Sequence, residues 1–117
     1  MQQNTGNQLS QVEMEQCIQD CLNCHTVCMQ TMEKYKRAGN QDHADYIRLL
    51  EDCAEICLTA AHFMQRNSPL YGYTCEACVQ ACTRCAGVSE QMGEADCANA
   101  CTICAQSCQQ MVKMVAF

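Results

Sequence analysis

Tryptophan is absent, proline occurs once and glycine five times. So few turn formers exclude a sandwich or barrel of many short strands. Leucine, isoleucine, valine and phenylalanine together number 18 of 117 residues, too few for an ordinary aliphatic core. Long apolar runs are also missing, so no segment reads as a membrane-spanning helix and no membrane partner is expected. Cations are scarce: seven Lys and Arg face 13 Asp and Glu, for a formal net charge of −6. Without a basic patch to neutralise phosphates, nucleic acid is excluded as a partner. The opening stretch MQQNTGNQLSQVEMEQ has neither a basic nor an apolar run, so it does not read as a secretory signal. A cytoplasmic location is the expectation.

What the chain does have is sulfur: 14 cysteines and 8 methionines. In a reducing compartment those thiols stay reduced unless something binds them. Residues 1–117 are one domain's length, and residues 1–9 read as a flexible extension. Four helices are expected, at about Ser10–Lys36, Asp42–Arg66, Tyr71–Met92 and Glu94–Val115. Gly39, the Asn67-Ser68-Pro69 turn and Gly93 end the first three. Short connections between long helices predict an all-α, antiparallel, up-down-up-down four-helix bundle.

A seam alternating three and four residues runs through each helix. It reads Met14, Cys17, Cys21, Cys24, Cys28, Thr31, Tyr35 in the first, and Tyr46, Leu50, Cys53, Cys57, Ala60, Met64 in the second. In the third it reads Tyr71, Cys75, Cys78, Cys82, Cys85, Ser89, Met92. The fourth gives Glu94, Cys97, Cys101, Cys104, Cys108, Met111, Val115. Every cysteine falls on a seam, so the spacing predicts a core lined with sulfur. The second helix carries only one pair, which makes the cysteine field lopsided.

One or two buried cysteines would be packing, but fourteen are not explained that way, because Leu or Ala would fill the space without oxidation risk. Disulfides between neighbours on one helix would be strained. Iron–sulfur motifs wrap a cluster with a loop and often a proline, and no proline follows any cysteine here. Four-thiolate zinc sites are possible, yet each buries a charge of −2. Cu(I) fits best. It is soft, accepts two or three thiolates, and one ion per thiolate leaves the interior neutral. The metal ligands expected are therefore the fourteen seam cysteines, with Met32, His43 and Met92 at one end of the bundle and His62, Met64 and Met111 at the other as further candidates. An iron–sulfur or zinc-binding structural or electron-transfer protein is the alternative. No acid or base flanks an open coordination position, so no enzymatic activity is expected.

The segments CIQDCLNCHTVC, DCAEIC, the NSP turn, CEACVQACTRC and CANACTICAQSC together resemble the bacterial copper storage proteins, in their cytosolic branch. That resemblance covers nearly the whole chain. It implies a four-helix bundle storing many Cu(I) ions on cysteine pairs, associating as a homo-tetramer or other homo-oligomer. A copper chaperone or a low-molecular-weight thiol would exchange the metal. Some relatives carry a His-rich stretch between the last two helices, and Gly87–Gly93 here has no histidine. The end bearing Met29, Met32, His43 and Met92 is expected to be the open mouth. The opposite end, with Met14, His62, Met64 and Met111, is expected to be plugged by Leu9, Val12, Phe63, Leu70, Val115 and Phe117. His25 is expected to face outward or to make a helix contact.

Overall fold

The computed structural model describes residues 2–115, with side chains described from residue 10 onward. Four helices run in sequence: α1 (Gln2–Ala38), α2 (Ala44–Gln65), α3 (Tyr71–Gln91) and α4 (Ala95–Met114). A 3-10 turn, Gln41–His43, precedes α2. No strand occurs among the described residues. The four expected segments are all present; α1 begins eight residues before the expected Ser10, and the other ends agree within two residues. Leu9 and Phe117, and the expected flexibility of residues 1–9, lie outside the described side chains.

Each reversal is set by a residue in the left-handed region. Gly39 and Gly93 sit at φ +69° and +76°, and Asn67 at +52°. At Gly93 the amides of Gly93 and Glu94 reach back to the carbonyls of Glu90 and Ser89, at 3.1 and 2.9 Å. Asn67 and Ser68 do the same to Met64 and Phe63, at 3.1 and 2.9 Å. These paired bonds satisfy carbonyls that a helix end would otherwise leave unpaired. Asn40 then starts the 3-10 turn by accepting from the Asp42 amide at 2.9 Å. Tight reversals at both ends force antiparallel neighbours.

Each helix packs on its two neighbours in chain order, and α4 closes back on α1. The seams therefore meet on one axis. All fourteen cysteines are buried, with none more than 1 % exposed. Leu50, Ala54, Ala60, Ala61 and Met64 fill the interior where α2 carries only Cys53 and Cys57. Polar residues off the seams, such as Gln19, Asn23, Glu55, Arg84 and Asn99, are exposed.

Candidate metal centre

All fourteen cysteines are free thiols. The closest sulfur pairs, Cys21–Cys108 and Cys57–Cys82, stand 3.5 Å apart, well beyond a disulfide's length. Their arrangement is a ladder. Six rungs of two sulfurs follow one another along the axis: Cys21 with Cys108, Cys78 with Cys104, Cys57 with Cys82, Cys24 with Cys53, Cys28 with Cys101, and Cys85 with Cys97. Any two successive rungs make a group of four whose sulfurs all lie within 4.8 Å of one another, which gives five groups, and the described residues hold one further group of candidate ligands. Neighbouring groups share one rung, so the ladder has no break from Cys108 to Cys97.

Every rung joins two helices, and the sulfurs also reach across the diagonal of the bundle. Cys57 on α2 lies 3.8 Å from Cys104 on α4, and Cys53 lies 4.0 Å from Cys101. Beyond the first rung, Cys17 stands 3.7 Å from Cys108, and the Cys75 thiol points to the Met64 thioether at 3.8 Å. Soft ligands thus continue to the α2–α3 end.

Contact between thiols shapes their acidity. The hydrogen bond with Cys101 pulls Cys24 below the ordinary thiol range, and the same contact pushes Cys101 above it. Such a pair shares one proton, so the first ionisation is eased and the second resisted. Cys97, hydrogen-bonded to Cys101 and then to Cys28, is pulled down to about 7. An incoming cation displaces the remaining protons.

The two ends differ from expectation. At the end formed by the α1–α2 and α3–α4 turns, the expected open mouth is closed. Tyr46, 4 % exposed, hydrogen-bonds through its hydroxyl to Ser89 Oγ at 2.8 Å. The Tyr35 ring packs edge-on against Tyr46 and His43, with centroids 5.1 and 4.8 Å away. Tyr35 donates its hydroxyl to Glu94 Oε2 at 2.7 Å, and Lys34 reaches the same oxygen at 2.7 Å. That bond pushes the Tyr35 hydroxyl up to about 12 and holds Glu94 below the usual carboxylate range, through Lys34 and then Tyr35. His43 sits beside this lid, and its Nδ1 is buried without a partner. Met32 is buried and Met92 half-buried against the core.

At the opposite end Met64 and Met111 are buried as expected. His62 is not with them. It is exposed, on an outer groove of about 280 Å³ between α1 and α2 that His25, Met29 and Met32 also line. Its helical phase explains this, since Ala60, Ala61 and Met64 take the inward positions. Val12 and Leu70, expected as plug, are 63 % and 52 % exposed. His25 makes the expected helix contact, its Nδ1 2.8 Å from the Ala54 carbonyl. The closing role of the tyrosines does not follow from spacing, which marks Tyr35 and Tyr46 only as seam positions. Their place at the ends of two facing seams is the signal that points to a lid.

A four-helix bundle with a closed sulfur ladder for a core defines the class: a thiol-rich metal-binding bundle. The family model described as "Csp: Copper storage protein" matches residues 10–113, and the chain belongs to that family. It is 34 % identical over 104 residues to the uncharacterized cysteine-rich protein YhjQ of Bacillus subtilis, covering 83 % of this chain and 94 % of that one. The crystal structure of the Nmul_A1745 protein from Nitrosospira multiformis superposes with a TM-score of 0.82 at 31 % identity, covering 89 % of this chain and 98 % of that one. No helix among the described residues is long and apolar enough to cross a membrane.

Proposed function

We propose that the chain stores and buffers Cu(I), many ions at a time, on the thiolates of its core. The observation that carries this is the unbroken ladder, whose groups keep their sulfurs within 4.8 Å of one another and whose closest contacts between helices measure 3.5–4.0 Å. A soft monovalent ion can bridge two or three such sulfurs with little rearrangement. Loading near one ion per thiolate leaves the interior neutral, which removes the penalty on buried charge. An iron–sulfur cluster suits the geometry less well. Its irons and sulfides would have to stand between thiols that already touch. Among the described residues the side-chain contacts of the core thiols run to other thiols, to Met64 and to Ser89, a set suited to holding soft metal.

The family resemblance supports a homo-oligomer, a tetramer by preference, that exchanges copper with a chaperone or a small thiol. Fourteen reduced thiols suit a reducing cytoplasm. Anaerobic titration of the reduced apo protein with Cu(I) against a competing chelator, followed by metal analysis, tests the reading. Many equivalents, on the order of ten per chain, are expected from one ion per thiolate. One or two equivalents, or a brown protein with visible charge-transfer bands, would sink it.

A further inference from the structure

The same ladder that underlies the storage reading also sets a rule for divalent ions, and that rule needs no copper. We infer that a thiophilic divalent cation of the zinc and cadmium class occupies alternate groups of the ladder, three per chain, each held by four thiolates.

The fit of one ion is geometric. A zinc–sulfur bond of about 2.3 Å makes a tetrahedron with edges of about 3.8 Å. The sulfur contacts within the groups measure 3.5, 3.6 and 3.8 Å around Cys21, Cys78, Cys104 and Cys108. Around Cys24, Cys53, Cys57 and Cys82 they include 3.5 and 3.6 Å, and around Cys28, Cys85, Cys97 and Cys101 they include 3.8 and 3.9 Å. All twelve sulfurs are buried. The sulfurs of each group thus already stand close to tetrahedral spacing.

The count follows from sharing. Successive groups have a rung in common, so tetrahedra built on them share an edge. For edges near 3.8 Å, ions in successive groups stand about 2.7 Å apart, and ions in alternate groups about 5.4 Å apart. Repulsion scales with the product of charges, so two divalent ions at the shorter separation repel four times as strongly as two monovalent ones. Monovalent ions can therefore fill consecutive groups, whereas divalent ions skip one. Three of the groups built from these rungs share no sulfur with one another: Cys21-Cys78-Cys104-Cys108, Cys24-Cys53-Cys57-Cys82 and Cys28-Cys85-Cys97-Cys101. Fourteen sulfurs cannot make a fourth separate set of four.

Each loaded group carries a net charge of −2 when fully ionised, so Cu(I), which neutralises the core, should displace the divalent ion. Anaerobic titration of the reduced full chain with Cd(II) alone tests this, read by metal analysis and by ¹¹³Cd resonances. Three ions per chain are expected, with three resonances in the four-thiolate range. Two double variants, each lacking two cysteines, separate position from number. Cys17→Ala with Cys75→Ala leaves the alternate sets intact and should still take three. Cys57→Ala with Cys82→Ala removes a central rung and should take two.

Four or more ions with bridged cadmium pairs in the wild-type chain would overturn the rule. Equal losses in the two variants would do the same. The wild-type count stands as a test even if the central variant fails to fold. Cu(I) loading that persists while Cd(II) fails to bind overturns this inference alone, and loss of both would take the storage reading with it.

Discussion

At the scale of single residues, the chemistry at the Cys97 end depends on a few polar groups closing the ladder. Glu94 is the hub: its side chain is 17 % exposed and receives both Lys34 and Tyr35 on one oxygen. Its acidity is raised by Lys34 first and Tyr35 second. A carboxylate whose folded-state pKa lies below its unfolded value stabilises the fold above the unfolded value. That contribution is lost as pH falls through the folded one. Glu94→Gln should therefore cost about 1.5–3 kcal/mol at neutral pH, the scale of a hydrogen bond to a charged group. It should also flatten the loss of stability on acidification below about pH 4.3, the ordinary glutamate value. Urea unfolding of the apo form across that range checks both. Ser89 acts differently, because it is wholly buried against the Tyr46 hydroxyl. Ser89→Ala strands that hydroxyl and should cost about 1–3 kcal/mol without a pH dependence between about 4 and 8.

At the scale of the elements, the turns hold the helices in a register that lines up the rungs. Gly93 has φ +76°, and no neighbouring atom stands within 4 Å of the place a Cβ would take, so only backbone strain opposes a side chain there. Gly93→Ala should destabilise by about 1 kcal/mol. Gly87 lies inside α3, exposed and equally free of neighbours. Gly87→Ala should stabilise by up to about 1 kcal/mol, because the helix gains propensity at no steric cost. Chemical denaturation of the two variants side by side gives opposite signs if the turn assignment is right. The helices and their inward faces were legible in the sequence, because a three-four rhythm of cysteine can only be a helix stripe. Which four cysteines meet was not legible. That depends on the vertical register between helices, and a pattern read along one helix carries no information about the height of its neighbour. His62 shows the opposite lesson. Its phase, two residues from both Ala60 and Met64, already places it outside the seam, although its position near the helix end suggests a ligand.

At the scale of the whole molecule, a closed ladder must still exchange its contents, and the two ends offer different routes. The tyrosine end is shut by two rings and one hydroxyl pair, all side chains, with Met32 and Met92 beside it. At the other end Met64 and Met111 are themselves buried at 1 % exposure. Side-chain rotation, far faster than helix separation, suffices to open the tyrosine end, so entry is expected there. Under the storage reading, thioethers there hold Cu(I) weakly and hand it to thiolates that add charge to softness. Met32→Leu with Met92→Leu keeps the volume but removes the sulfurs, and should slow both uptake and chelator-driven removal several-fold while capacity falls by at most a few ions. Tyr35→Ala, which removes the outer ring of the lid, should speed both. Met64→Leu with Met111→Leu should leave the rates nearly unchanged. Stopped-flow mixing of each variant with a Cu(I)-chelator complex reads the rates directly. If the Met64 and Met111 pair slows exchange and the Met32 and Met92 pair does not, metal enters between α2 and α3, and the tyrosines close the far end of the ladder rather than its door.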